Sequence, residues 1–236
     1  MQITKENTVA EVVSKNLGSD HVFSKYKIDF CCGGGDTLEK ACKESGVEFE
    51  TLKQEIETIN NTISGKTNLN DLDVKSLMDI AKDEYHVYIS DSIFEIKPFS
   101  EKVAEVHGAE HSEVVELNVL FTSVEIVITE MLKNSILSLY PIINEILNLP
   151  NPASDFSLAQ LEELKRSIKR NEIAQILVGD TFKEISRLSS NYVLPKGACN
   201  SYTFLYKKLQ EFELEIHKYM HLEKNVIIPK MLKILE

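Results

Sequence analysis

A chain of 236 residues with 43% hydrophobic and 27% charged side chains is long enough to bury a core and reads as a globular protein of one or two domains. A formal net charge of −11, without a Lys/Arg block, argues against a duplex nucleic acid or an anionic membrane surface as partner. The start Met1-Gln2-Ile3-Thr4-Lys5-Glu6 has no apolar signal core and no run reaches the ~18 apolar residues that span a bilayer, so the expected location is the cytoplasm.

Residues 1–60 read as short helices around a glycine-rich turn. Thr8 is placed to cap a helix over Val9–Lys15, Asp20 one over His21–Tyr26, and Phe49–Ile59 is amphipathic. Between them, Ile28-Asp29-Phe30-Cys31-Cys32-Gly33-Gly34-Gly35 concentrates two adjacent thiols and three glycines, the mark of a tight turn whose backbone comes close to something. Asp36 or Thr37 then caps a helix, and a thiolate beside a helix N-terminus is stabilised and made more reactive by the dipole there. Adjacent cysteines are poor staples, because a disulfide between them closes a small, strained, easily reduced ring. Cys31 and Cys32 are therefore the candidate catalytic residues, the alternative being two small buried thiols beside a turn. The remaining cysteines, Cys42 and Cys199, stand alone, which is not a secreted disulfide framework.

Residues 61–70 are polar and aperiodic and read as a linker. Over 71–236 four long helical patterns follow, at about 71–106, 112–148, 157–191 and 198–230, with breaks at Gly108, Pro150-Asn151-Pro152 and Pro195-Lys196-Gly197. No strand pattern survives, so the fold class is all-α: a small N-terminal helical domain, then an up-down-up-down four-helix bundle. Pro98 and Pro141 should kink the first two long helices.

On the last helix Leu205, Leu209, Phe212, Ile216, Tyr219, Glu223 and Val226 share one stripe, which carries Glu223 into the core. A buried carboxylate needs a metal, a hydrogen-bond network or a raised pKa. Met131 and Ser135 on the second helix and Gln175 on the third face inward by the same periodicity. His107 with His111, and His217 with His221, have the i, i+4 spacing that puts two imidazoles on one helical face. However, His217 and His221 fall beside Gln210, Glu213 and Lys224, and His111 follows Gly108, so these three are expected at the surface. His86 is expected half-exposed at the edge of its apolar stripe.

The run Val9–Leu52, with Tyr26, Ile28-Asp29-Phe30-Cys31-Cys32-Gly33-Gly34 and Thr37-Leu38, resembles the N-terminal domain of the repair of iron centres family. Gly35 stands where members of that family often carry Lys or Asn. The resemblance implies a hemerythrin-like four-helix domain after the vicinal-Cys domain, with five histidines and two carboxylates holding two irons. Carried over residue by residue, it points to His86, His107 and Glu223 as metal ligands, each in matching context: Tyr85-His86, Val106-His107 and Leu222-Glu223-Lys224-Asn225-Val226. The family's other ligands fall on Met131 and Ser135, or on Glu130 and Asn134 with a one-residue slip, and on Gln175 and Tyr219. Two histidines and one carboxylate can hold one Fe(II), whereas two irons need more donors. The expected cofactor is thus iron, at most one ion or none, with Glu223, Tyr219 and Gln175 as the polar network in its place.

The function implied by the resemblance is iron–sulfur cluster repair under nitrosative or oxidative stress, with iron–sulfur proteins as clients and a homodimer or pairing with a relative as the expected assembly. Two other readings remain open: a divergent non-catalytic paralogue acting as regulator or partner, and a thiol-based redox or nitric oxide sensor with the bundle as scaffold.

Overall fold

The computed structural model describes residues 3–15, 18–30, 34–62 and 69–236. Among these every regular element is helical, and the one pairing of extended backbone is an isolated antiparallel bridge between Thr8 and Thr37. The all-α expectation holds. The chain forms two compact units, one of residues 1–81 with 217–236 and the other of residues 82–216. Residues 63–68, the greater part of the expected linker, lie outside the described residues.

The first unit contains α1 (Val9–Lys15), α2 (Ser19–Lys25), α3 (Leu38–Ser45), α4 (Phe49–Thr62) and α5 (Val74–Ile80). Helices this short depend on their ends. At α1 the Thr8 hydroxyl accepts the Glu11 N–H at 3.2 Å while the Glu11 carboxylate accepts the Thr8 N–H at 3.1 Å, a reciprocal capping box. Thr37 caps α3 through the Lys40 N–H, and Asp73 caps α5 through the Ser76 N–H at 2.7 Å. The start of α2 differs from expectation: Gly18, at φ 88, precedes it in the left-handed region and the helix begins at Ser19. Asp20 therefore lies inside the first turn, where its charge faces the positive helix end and pairs with Lys218 at 3.2 Å.

The second unit is built from α6 (Val87–His107), α7 (Ser112–Asn134), α8 (Tyr140–Leu147), α9 (Pro152–Asp155), α10 (Leu158–Leu188) and the part of α11 (Asn200–His221) up to Ile216. Side-chain pairs fix the directions. His86 stacks on Tyr140, and farther along Lys97 pairs with Glu125, so α6 and the α7–α8 segment run antiparallel. Phe99 meets Phe204 and His107 meets Tyr202, which runs α11 antiparallel to α6. Phe212 packs edge-on to Phe121 and tilted to Phe182, joining α11 to α7 and α10 in the core. α6 closes on Gly108, a position that must be glycine because a Cβ there would sit 2.4 Å from the Ala104 carbonyl oxygen and 2.6 Å from Val115.

Among the described residues three π-turns interrupt the long helices, at Ala81–His86, Ser135–Leu139 and Leu222–Ile227. Two of them lead directly into a proline near the start of the next helix, Pro141 in α8 and Pro229 in α12 (Ile228–Ile234). The reason is local: a proline has no N–H to give the preceding turn, and the widened π-turn also makes room for its ring. The irregularity expected at Pro141 thus takes the form of a π-turn before it, whereas α6 continues through Pro98. Each π-turn contains a polar residue that reaches the interior: His86, Ser135 and Glu223.

Removing the aromatic junction of the bundle tests this packing. Phe212→Ala should cost about 3–5 kcal/mol, the range for truncating a buried Phe, read as a lower urea midpoint with an unchanged slope.

Candidate functional site

Cys31 and Cys32, with Gly33, lie outside the described residues, but both chain ends that hold them are defined. On the entry side the Ile28 N–H donates to the Phe23 carbonyl at 2.8 Å. On the exit side the Gly34 carbonyl accepts the Ala10 N–H at 2.8 Å and the Asp36 carbonyl accepts the Val9 N–H at 3.0 Å, so the chain is tied to the start of α1. A Cβ on Gly34 would sit 2.7 Å from the Phe30 carbonyl oxygen and 2.9 Å from the Ala10 Cβ. Only glycine lets the two ends come this close, which is the close approach that the sequence suggests. Gly35 has open space instead. A cleft of about 350 Å³ opens beside these ends, lined by Tyr26, Ile28, Asp29, Asp36, Glu44 and Ser45 among others.

The expected surface position of His221 is overturned. It is 4% exposed, because α1 and the Phe30 segment cover the face of the last helix that a free-standing bundle would leave to solvent. Its Nδ1 lies 3.2 Å from the Phe30 carbonyl oxygen and its Nε2 lies 3.3 Å from the Ser14 hydroxyl, while the Asn225 amide is 3.0 Å from Nδ1. Burial pushes its pKa down to about 4, against the Phe30 hydrogen bond and the Asp20 charge, which raise it. The ring is neutral at pH 7. His217 is half-buried and meets the Phe30 ring edge-on at 6.1 Å.

Glu213, placed by periodicity beside the solvated residues, is instead largely enclosed and accepts the Tyr192 hydroxyl at 2.8 Å. Burial raises its carboxyl to about 7, and the Tyr192 hydrogen bond offsets only part of that. Tyr192 reaches it from a turn in which Ser190, Asn191 and Tyr192 all have φ between 52 and 61. No periodicity rule foresees such a turn.

The two histidines implied as ligands by the family resemblance stand at opposite ends of α6. His86 is buried rather than half-exposed, stacked on Tyr140 at 5.9 Å, and burial lowers its pKa to about 4. His107 stands at the other end of α6, and 21 residues at about 1.5 Å each place it about 30 Å away, so the two histidines do not share an ion. Its Nε2 is 3.2 Å from the thiol of the exposed Cys199 instead. Glu223 is completely buried, as its stripe requires, and accepts the Tyr219 hydroxyl at 2.9 Å. Ser135 accepts from the Asn171 amide at 2.7 Å, and the Asn134 amide donates to Asn171 at 2.7 Å and to the Ser167 carbonyl at 2.9 Å. Asn171 is absent from the sequence reading, although it lies four residues before Gln175 on the same stripe. Among the described residues no three His, Cys, Asp or Glu side chains come together as a metal site. With Met131, Ser135, Gln175 and Tyr219 where a di-iron centre would need ligands, these side chains do not fit that cofactor.

Comparison with known proteins gives the class. Residues 5–60 match the ScdA_N family, described as a domain of unknown function (DUF542). Along nearly its whole length the chain is similar to iron–sulfur cluster repair protein ScdA of Staphylococcus haemolyticus, 30% identical over 234 residues, covering 97% of this chain and 99% of the relative. ScdA of Staphylococcus epidermidis is 26% identical over 232 residues, again with 97% and 99% covered. Iron–sulfur cluster repair protein YtfE of Yersinia pseudotuberculosis is 22% identical over 212 residues, with 90% of each chain covered. The chain belongs to the iron–sulfur cluster repair protein family of ScdA and YtfE.

The Glu213 environment predicts a pH dependence. An unfolded carboxyl near 4.5 releases its proton before the folded one near 7, so between these values the folded state holds more protons and loses stability as pH rises. Relative to Glu213→Gln, wild type should therefore lose stability from about pH 4.5 to 7 and run parallel above, measured as urea midpoints across that range.

Proposed function

We propose that this chain works in the repair of iron–sulfur clusters damaged by nitrosative or oxidative stress in the cytoplasm, with Cys31 and Cys32 as the reacting groups and iron–sulfur proteins as clients. The observation that carries the reading is the similarity to ScdA over 97% of the chain and 99% of that relative. In this reading residues 1–60 carry the thiols, 61–70 link, and 71–236 form a hemerythrin-like bundle. The pinned ends around the cysteines support a reactive loop, since a thiolate is both a nucleophile and a soft ligand for iron. The donor set of the bundle argues for repair chemistry at the thiols, with iron handled as cargo and at most one equivalent retained. The same shortage of donors favours a second reading, a thiol sensor with the bundle as scaffold.

An iron–sulfur hydro-lyase inactivated by peroxide should regain activity on adding the wild-type protein with Fe(II), and should not with Cys31→Ser or Cys32→Ser. Modified thiols without recovered activity would favour the sensor. Anaerobic Fe(II) titration of wild type, Glu223→Ala and His107→Ala should show no more than one equivalent. Two tightly held irons would overturn the assignment of the chemistry to the thiols.

A further inference from the structure

In a chain of net charge −11, α10 gathers Lys165, Arg166, Lys169 and Arg170 within two turns, and all four are exposed. Two of them are engaged only within their own helix: Arg166 pairs with Glu163 at 3.2 Å and Lys169 with Glu172 at 3.3 Å. Exposed pairs of this kind are worth little and exchange readily for another anion. Lys165 and Arg170 form no ion pair among the described residues. The following turns of the same outer face carry Ile173, Ile176 and Leu177, spaced i, i+3 and i+4 and 58%, 52% and 50% exposed. The helix does not use them for its own packing, because Leu164, Ser167, Asn171, Gln175, Val178 and Phe182 form its buried face.

We propose that the outer face of α10 from Lys165 to Leu177 is a docking surface for an acidic segment of a partner protein, with carboxylates against the four cations and apolar side chains on Ile173, Ile176 and Leu177. At about 1.5 Å per residue this face is about 18 Å long, which suits one short helix laid along it. Charge complementarity selects the partner. In physiological salt a fixed charge acts over roughly 8 Å, so an acidic segment resting on α10 meets these cations while the acidic remainder of the chain is screened from it. An anionic bilayer is a plane far wider than the patch, and the chain's net charge opposes its approach. Three clustered apolar side chains beside the cations also set this face apart from a merely solvated run of charge, which would present polar neighbours. The surface is read by binding alone and does not depend on the chemistry assigned to the thiols.

The probe is a fluorescent peptide of glutamate, alanine and leucine with its leucines at i, i+3 and i+4, titrated with the full chain and followed by anisotropy at low and high salt. Wild type should bind it more tightly than a scrambled peptide of the same composition, and more weakly as salt rises. Lys165→Glu with Arg170→Glu should weaken binding about 10-fold or more and remove most of the salt dependence. Ile173→Ser with Leu177→Ser should weaken it about 10-fold while the salt dependence stays. Lys15→Glu with Lys233→Glu, exposed cations elsewhere, makes the same change of net charge and should leave binding within about twofold of wild type. Equal loss in this control variant, or equal binding of the scrambled peptide, overturns the docking surface. Cosedimentation of wild type with phosphatidylglycerol vesicles that is lost in the charge-reversed variant, without peptide binding, makes the face a membrane surface and overturns the assignment to a protein. Self-association of wild type that the serine variant abolishes, again without peptide binding, makes it a contact between copies of this chain and overturns it likewise.

Discussion

A polar group taken out of water inside a helical protein must find its hydrogen bonds among other side chains and stray backbone groups, because the helices consume their own N–H and C=O groups. Much of this molecule follows from that requirement. The Phe30 carbonyl lies in a loop, with no helical partner, and Nδ1 of the buried His221 stands 3.2 Å from it. Glu223 is closed off from solvent and takes the Tyr219 hydroxyl. Ser135, Asn171 and Asn134 bond in sequence, ending on the Ser167 carbonyl. Each solution fixes a rotamer and a helix register at once, which is how a polar network specifies one packing among several.

The π-turns show where those solutions are placed. A π-turn rotates the residues after it and leaves a carbonyl without its usual partner, so it redirects a side chain while weakening the ladder locally. His86, Ser135 and Glu223 each lie in such a turn, and these are also positions to which the family resemblance assigns iron ligands. The backbone device is therefore present where the donor set is not. A serine held by an asparagine, and a tyrosine bonded to a glutamate, satisfy interior polar atoms without a cation.

Pinning also explains the glycines. Of the positions in the Cys-Cys-Gly-Gly-Gly run that are described, Gly34 has a steric reason to lack a side chain and Gly35 has none. The requirement at Gly34 comes from two neighbours at once, the Phe30 carbonyl and the Ala10 methyl group, so it expresses the closeness of the two ends of the loop and not a left-handed backbone.

The sequence by itself determined the helices and their order, because helical periodicity, Thr8 as a cap, Asp36 or Thr37 as the next, and the proline and glycine breaks are all local signals. It also determined that Glu223 faces inward, since a seven-residue stripe leaves that position no other side. The histidines were decided only by tertiary structure. Periodicity describes the faces of one helix, and whether a polar face meets water depends on what else in the chain covers it. For His221 the cover is α1 and Phe30, some two hundred residues earlier, and for Glu213 it is a tyrosine presented by a left-handed turn. The separation of His86 from His107 was within reach of the sequence, given a continuous helix between them. The partners of Ser135 and Phe30 were not, because a hydrogen bond across the chain leaves no trace in the spacing of either residue.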